Sequence, residues 1–173
     1  MNRTHFVQRL SWSSLAACGL IGTNLSAAQG ADPAVAPKPA NLGVQDYESP
    51  GVQVVLFSVK RGSDGYVTVR WGYHNTTSRP QNIGANTGAM SGAWSGPYSL
   101  AWDFYVTAGD TKYATADGGG GKLAASHGPN KVVVVGPKQT YATWAKVKDP
   151  GKDVKTVTVY VQGAAPFDDI PIS

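Results

Sequence analysis

The sequence holds a single cysteine, Cys18, so no disulfide can close within the chain and stability must come from a packed core. Histidine is almost as scarce. Of the three present, only His74 and His127 lie beyond the N-terminal leader, one near the polar end of a strand pattern and one in a Ser-His-Gly-Pro loop. A zinc site needs three or four closely held ligands, and nucleophilic catalysis needs a base beside the nucleophile and a group to orient it. Neither arrangement is written here, and both histidines read as surface or turn residues. The expectation is a protein that is not an enzyme, with no catalytic residue, metal ligand or cofactor.

Charge is sparse as well, at 15% of residues. Arg3 and Arg9 fall in the leader, so of 15 basic residues 13 remain after its removal, against 11 acidic ones, a net charge of +2. No basic stripe for nucleic acid and no polybasic membrane patch is visible. No apolar run reaches the roughly 20 residues of a membrane span, and no helical periodicity follows the leader.

What is present begins with that leader. Arg3 and Arg9, the apolar run from Leu10 to Ile21 and the small residues Ser26-Ala27-Ala28 fit a signal peptide over residues 1–28, which places the mature chain in the periplasm or outside the cell. Leu15-Ala16-Ala17-Cys18 offers an alternative, since it resembles a bacterial lipobox in which Cys18 would be acylated to give an outer-membrane lipoprotein. Only eight residues, three of them Ser, separate Arg9 from Cys18, which favours plain cleavage. Residues 29–48, rich in Ala, Pro and Gly, have too little apolar surface to order themselves and read as a disordered linker.

Residues 49–173 alternate. Val52 to Arg61 carries apolar side chains on both faces, with Val55, Phe57 and Val59 on one and Val54 and Leu56 on the other, as in a central strand. Asp64-Gly65 signals a tight hairpin into Tyr66 to Asn75, whose Val67, Val69, Trp71 and Tyr73 share a core face. Ser99 to Thr107 sets Leu100, Trp102, Phe104 and Val106 against Ala101, Asp103 and Tyr105, and Ala108-Gly109-Asp110 turns it back into another strand. Val132 to Val135 reads as a short buried strand. At the C-terminal end, Thr140 to Val147 and Val154 to Gln162 flank the turn formers of 149–153 and read as a hairpin, with Val157, Val159 and Val161 facing inward. Trp144 is expected in the core or at its margin. Short strands with turn signals every eight to twelve residues predict an all-β antiparallel sandwich of seven to eight strands.

Asp64-Gly65-Tyr66-Val67-Thr68-Val69, the Asn75 turn, Trp144-Ala145-Lys146, Asp153-Val154-Lys155-Thr156-Val157 and the closing Pro166-Phe167-Asp168-Asp169-Ile170-Pro171-Ile172 together resemble a group of bacterial exported domains of immunoglobulin-like type, found alone or beside OmpA-like domains. The resemblance runs from about Gly51 onward. It implies an immunoglobulin-like sandwich and an exported compartment, and brings no catalytic residue.

Asp64, Asp110, Asp117 and Asp149 sit beside Gly or Pro, where Asp favours turns. Asp168 and Asp169 read as capping groups around a plug made by Phe167 and Ile170. Asn75-Thr76-Thr77 spells a glycosylation sequon, discounted for a bacterial product, and Gly118 to Gly121 lacks the residues of a phosphate loop. Lys138, Lys146, Lys148, Lys152 and Lys155 read as charges that guard an edge against aggregation. Residues 81–97 form a long Gly-rich loop, in which Trp94 and the adjacent Tyr98 are the candidate ligand-binding pair: amphipathic rings suited to a protein partner or to sugar stacking. The expected function is a non-enzymatic cell-envelope module acting through protein-protein contact with an envelope protein; the alternative is a carbohydrate- or cell-wall-binding module with a glycan as partner.

Overall fold

The computed structural model describes residues 41–83, 100–126 and 133–173. The leader with Cys18 and the loop residues Trp94, Tyr98 and His127 lie outside them. In chain order the strands are β1 (Gly43–Asp46), β2 (Val52–Arg61), β3 (Tyr66–Asn75), β4 (Gln81–Ile83), β5 (Tyr105–Ala108), β6 (Thr111–Ala114), β7 (Asp117–Gly119), β8 (Lys122–Leu123), β9 (Val133–Val135), β10 (Thr140–Lys148), β11 (Thr156–Tyr160) and β12 (Phe167–Pro171). They build two four-stranded antiparallel sheets, β1-β2-β3-β10 and β12-β11-β5-β6, and two small ribbons, β4-β9 and β7-β8. The fold is an antiparallel β-sandwich with eight strands in its two main sheets, as the alternation predicts.

The core lies between the sheets. Val67, Val69, Trp71 and Tyr73 of β3 are buried, as are Val157 and Val159 of β11 with Val161 just beyond it, and Phe167 and Ile170 of β12 close the cluster. Trp71 stacks on Phe104, which leads into β5 of the facing sheet, with ring centroids 4.5 Å apart and planes 7° from parallel. The Trp71 Nε1 donor is buried and meets no acceptor among the described residues. Tyr73 packs edge-on against Tyr47 at 5.2 Å.

Burial pushes the Tyr73 hydroxyl up to about 12, with the nearby Trp71 indole opposing the shift and the Glu48 carboxylate adding to it. Its contribution to stability is therefore complete below about pH 10, where an unfolded tyrosine begins to ionise, and is lost as pH rises through about 12. Wild type should lose on the order of 2 kcal/mol along this alkaline limb that Tyr73→Phe does not lose. Urea midpoints measured for both proteins between pH 8 and 12 check the difference.

Several strands depart from simple alternation. A bulge between Leu56 and Ser58 leaves Phe57 unpaired, so Val52, Val54 and Leu56 face the core before it and Val59 after it. Val55 and Phe57 stand on the outer face, so Val59 does not share their side as strict alternation would have it. β5 begins only at Tyr105, because 100–103 turn and bend, so Ala101 is buried while Trp102 is 43% exposed and Asp103 sits exposed in a bend instead of mid-strand. In β9, Val133 and Val135 are buried but Val134 is 63% exposed. Order also begins inside the stretch read as linker, because β1 pairs Gly43 to Asp46 with Leu56 to Gln53. Gly43 admits the Phe167 ring, which an added Cβ would meet at 2.9 Å.

The largest departure concerns β10 and β11. They form no hairpin: β10 pairs with β3, and β11 with β5 and β12. The 149–153 turn instead carries the chain from one sheet to the other. Arg61 fixes this arch, its Nε donating to Asp149 Oδ1 and Oδ2 at 3.1 and 2.9 Å and its guanidinium to the Gly151 and Val154 carbonyls at 2.9 and 3.0 Å. A planar fork with several donors can hold such a cluster where a lysine could not.

The outer edge of β10 is covered. Ala116 N donates to Lys146 O (2.7 Å), Lys146 N to Ala124 O (2.7 Å) and Ser126 N to Trp144 O (2.9 Å). On the other flank of the sheet, Ser173 N donates to Val59 O at 3.0 Å and Arg61 N to Ser173 O at 2.8 Å, so the last residue extends the ladder along β2 where β1 ends.

Candidate functional site

Antiparallel register places a set of side chains in rows across the outer face of β1-β2-β3-β10. Val44, Val55, Gly72 and Ala142 form one row; Ser58, Arg70 and Trp144 the next; Lys60, Thr68 and Lys146 the third. The bulge directs Phe57 onto the same face. Its ring lies over Gly72, where an added Cβ would meet Phe57 Cε2 and Thr140 Cγ2 at 2.9 Å each. Only glycine lets the phenyl ring settle there.

Arg70 is exposed and borders two shallow depressions. One, of about 490 Å³, is lined by Phe57, Ser58, Lys60, Arg70 and Ala142; the other, of about 300 Å³, by Thr68, Arg70, Trp144 and Lys146. Lys146 is held at the far rim by Asp64, 2.6 Å from its ammonium, and that hydrogen bond holds the Asp64 carboxyl below the usual carboxylate range. Arg70 and Lys60 have no carboxylate partner within ion-pair distance among the described residues. The face can offer apolar ring surface on either side of an unneutralised, bidentate donor.

The opposite sheet has an aromatic row of its own, but it is occupied internally. Tyr105 and Tyr160 stack at 4.4 Å and 13°, and Lys112 lies over the Tyr105 ring at 3.8 Å. Since β5 runs between β11 and β6, its neighbours cover Tyr105 from both sides, leaving that ring little surface for a sugar.

Three of the four expected turn carboxylates hydrogen-bond a backbone amide of their own turn. Asp64 Oδ1 accepts from Tyr66 N at 3.3 Å, Asp117 Oδ1 from Gly119 N at 2.8 Å and Asp149 Oδ1 from Gly151 N at 2.9 Å. Asp168 Oδ1 accepts from Thr158 Oγ1 at 3.2 Å instead of from a backbone amide. His74 Nδ1 lies 2.9 Å from Thr140 Oγ1. Among the described residues no three His, Cys, Asp or Glu side chains gather as a metal site would require. The sequon is internally engaged, for Asn75 is buried and its Nδ2, the atom a glycan would need, donates to the Arg79, Val135 and Gly136 carbonyls.

Trp94 and Tyr98 lie outside the described residues. Sequence reasoning missed Phe57 and Arg70. Arg70 carried a signal, since it stands on the polar side of β3 between Thr68 and Gly72, but only the register with β10 sets it opposite Trp144. Comparison of the chain with known protein families, curated proteins and solved structures finds no match.

Proposed function

We propose that the protein is a non-enzymatic, exported module of the bacterial cell envelope that works by protein-protein contact, and that the outer face of β1-β2-β3-β10 makes the contact. The observation that carries this reading is the grouping of Phe57, Arg70 and Trp144 on one side of a rigid sheet. Half-buried aromatic rings beside an exposed Arg, set among smaller neighbours, are the composition of energetically dominant positions at protein interfaces. The covered edge of β10 argues against strand addition there. Export rests on the leader pattern of residues 1–28, and the immunoglobulin-like assignment on the sequence resemblance.

The test is capture by the immobilised mature protein from a detergent-solubilised envelope fraction, run beside a glycan array. A specific protein partner supports the reading. Sugars bound by wild type and lost in Trp94→Ala, with no protein captured, replace it by the cell-wall-binding alternative. Intact mass of the protein recovered from membranes distinguishes cleavage after Ala28 from acylation at Cys18, because acyl chains add mass that plain cleavage does not.

A further inference from the structure

We infer that the partner's contact with this face is made by an acidic, extended polypeptide segment whose carboxylates are flanked by apolar side chains. The inference rests on the protein-contact reading above and adds the chemistry of what docks. Charge is the first argument. The outer face carries Lys60, Arg70, Lys146 and Lys148 toward one end of the sheet, and the nearby carboxylate Asp64 is already committed to Lys146. Lys60, Arg70 and Lys148 remain without ion-pair partners among the described residues, although the mature chain as a whole is close to neutral. Three cations without an ion-pair partner among the described residues thus stand at one end of the face that also displays the apolar rings, with Asp46 at its other end.

Geometry is the second argument. Arg70 is directly opposite Trp144 on β10 and Ser58 on β2, and Lys60 is its diagonal neighbour. Trp144 and the Phe57 bulge lie two strands apart, a span of about 10 Å. In an extended chain crossing the sheet, residues i, i+2 and i+4 share one face over about 13 Å, so apolar side chains at i and i+4 reach the indole and the phenyl ring while an acidic residue at i+2 stands over Arg70. The guanidinium offers a carboxylate two parallel donors, which a polypeptide acid can accept in a fixed orientation. A polysaccharide acid shares the charge but lacks the apolar side chains that the two depressions would take up.

The probes are acetyl-Leu-Ser-Glu-Ser-Leu-amide and its uncharged counterpart acetyl-Leu-Ser-Gln-Ser-Leu-amide, titrated into 15N-labelled mature protein. The expected result is saturable shift changes centred on Phe57, Arg70 and Trp144 with the acidic peptide, at least tenfold weaker binding of the uncharged one, and a several-fold loss on raising the salt from 50 to 500 mM. Arg70→Glu and, separately, Lys60→Glu should each reduce binding at least fivefold while the amide spectrum keeps the folded dispersion of wild type. Equal binding of the two peptides, shifts confined to other faces, or unchanged affinity in both folded variants overturns the inference. So does binding of polygalacturonate at these residues with the acidic peptide silent, which would make the ligand an anionic glycan. If wild type and Arg70→Glu capture the same envelope protein equally, the inference falls and the protein-contact reading stands; if wild type captures no protein, the reading itself falls.

Discussion

Trp71→Ala is expected to lower unfolding free energy by about 4 kcal/mol, the cost of emptying a fully buried indole site whose walls cannot collapse. Trp71 is entirely inaccessible and bridges the two sheets through its stack on Phe104, so the void would open at the midplane, where neither backbone layer can move inward without breaking its ladder. The melting temperature should fall by on the order of 15 °C. Trp71→Phe separates two contributions. It keeps a ring against Phe104 and removes an indole donor that is buried without an acceptor among the described residues, so its penalty should be about 1 kcal/mol, smaller than lost area alone implies. Trp144→Ala, on the outer face, should cost less than about 1 kcal/mol. Urea unfolding of the three variants, with the slope unchanged, checks the ranking.

Asn75→Ala should cost about 3 kcal/mol although it removes no apolar surface to speak of. The side chain joins three segments: its Nδ2 hydrogens are shared among the Arg79, Val135 and Gly136 carbonyls at 2.7, 3.0 and 3.0 Å, while Oδ1 accepts from Thr77 N and Thr77 Oγ1 at 2.8 Å each. Removing it strands the buried Val135 carbonyl, at about 1–3 kcal/mol, and breaks the part-buried bonds to Arg79, Gly136 and Thr77 that tie the three segments together. Asn75→Asp is the sharper test, because it is nearly isosteric but presents oxygen to those same carbonyls. It should destabilise at least as much as alanine at pH 7. Equilibrium denaturation of both variants decides this, and an aspartate variant as stable as wild type would show that the amide donors contribute little.

Much of this architecture is legible in single residues. The inward row of β3 and the valines of β11 follow from strict alternation, and Gly65 and Gly109 adopt the positive φ of 80° and 56° that their turns demand. Local pattern fails where a non-local partner decides. The Phe57 bulge leaves no mark in a run that is apolar on both sides, yet it resets which residues are inside. The segment from Asp149 to Asp153 has every feature of a hairpin turn, but Arg61, 88 positions earlier, grips Asp149 and the strands part into different sheets. β1 was hidden because its residues contribute backbone pairing more than side-chain burial. The face built from Phe57, Arg70 and Trp144 exists only through inter-strand register, which no single stretch of sequence encodes.

The ladder along β2 has a kinetic consequence. Its first half is completed by β1 and its second by Ser173, whose backbone amide and hydroxyl both reach back 114 positions to Val59. Pairings between such distant segments require large loops to close before they return any stabilisation, and chains dominated by them fold slowly, on the scale of milliseconds to seconds. A chain emerging from the ribosome cannot complete the ladder along β2 until Ser173 has been made and brought back to Val59 and Arg61.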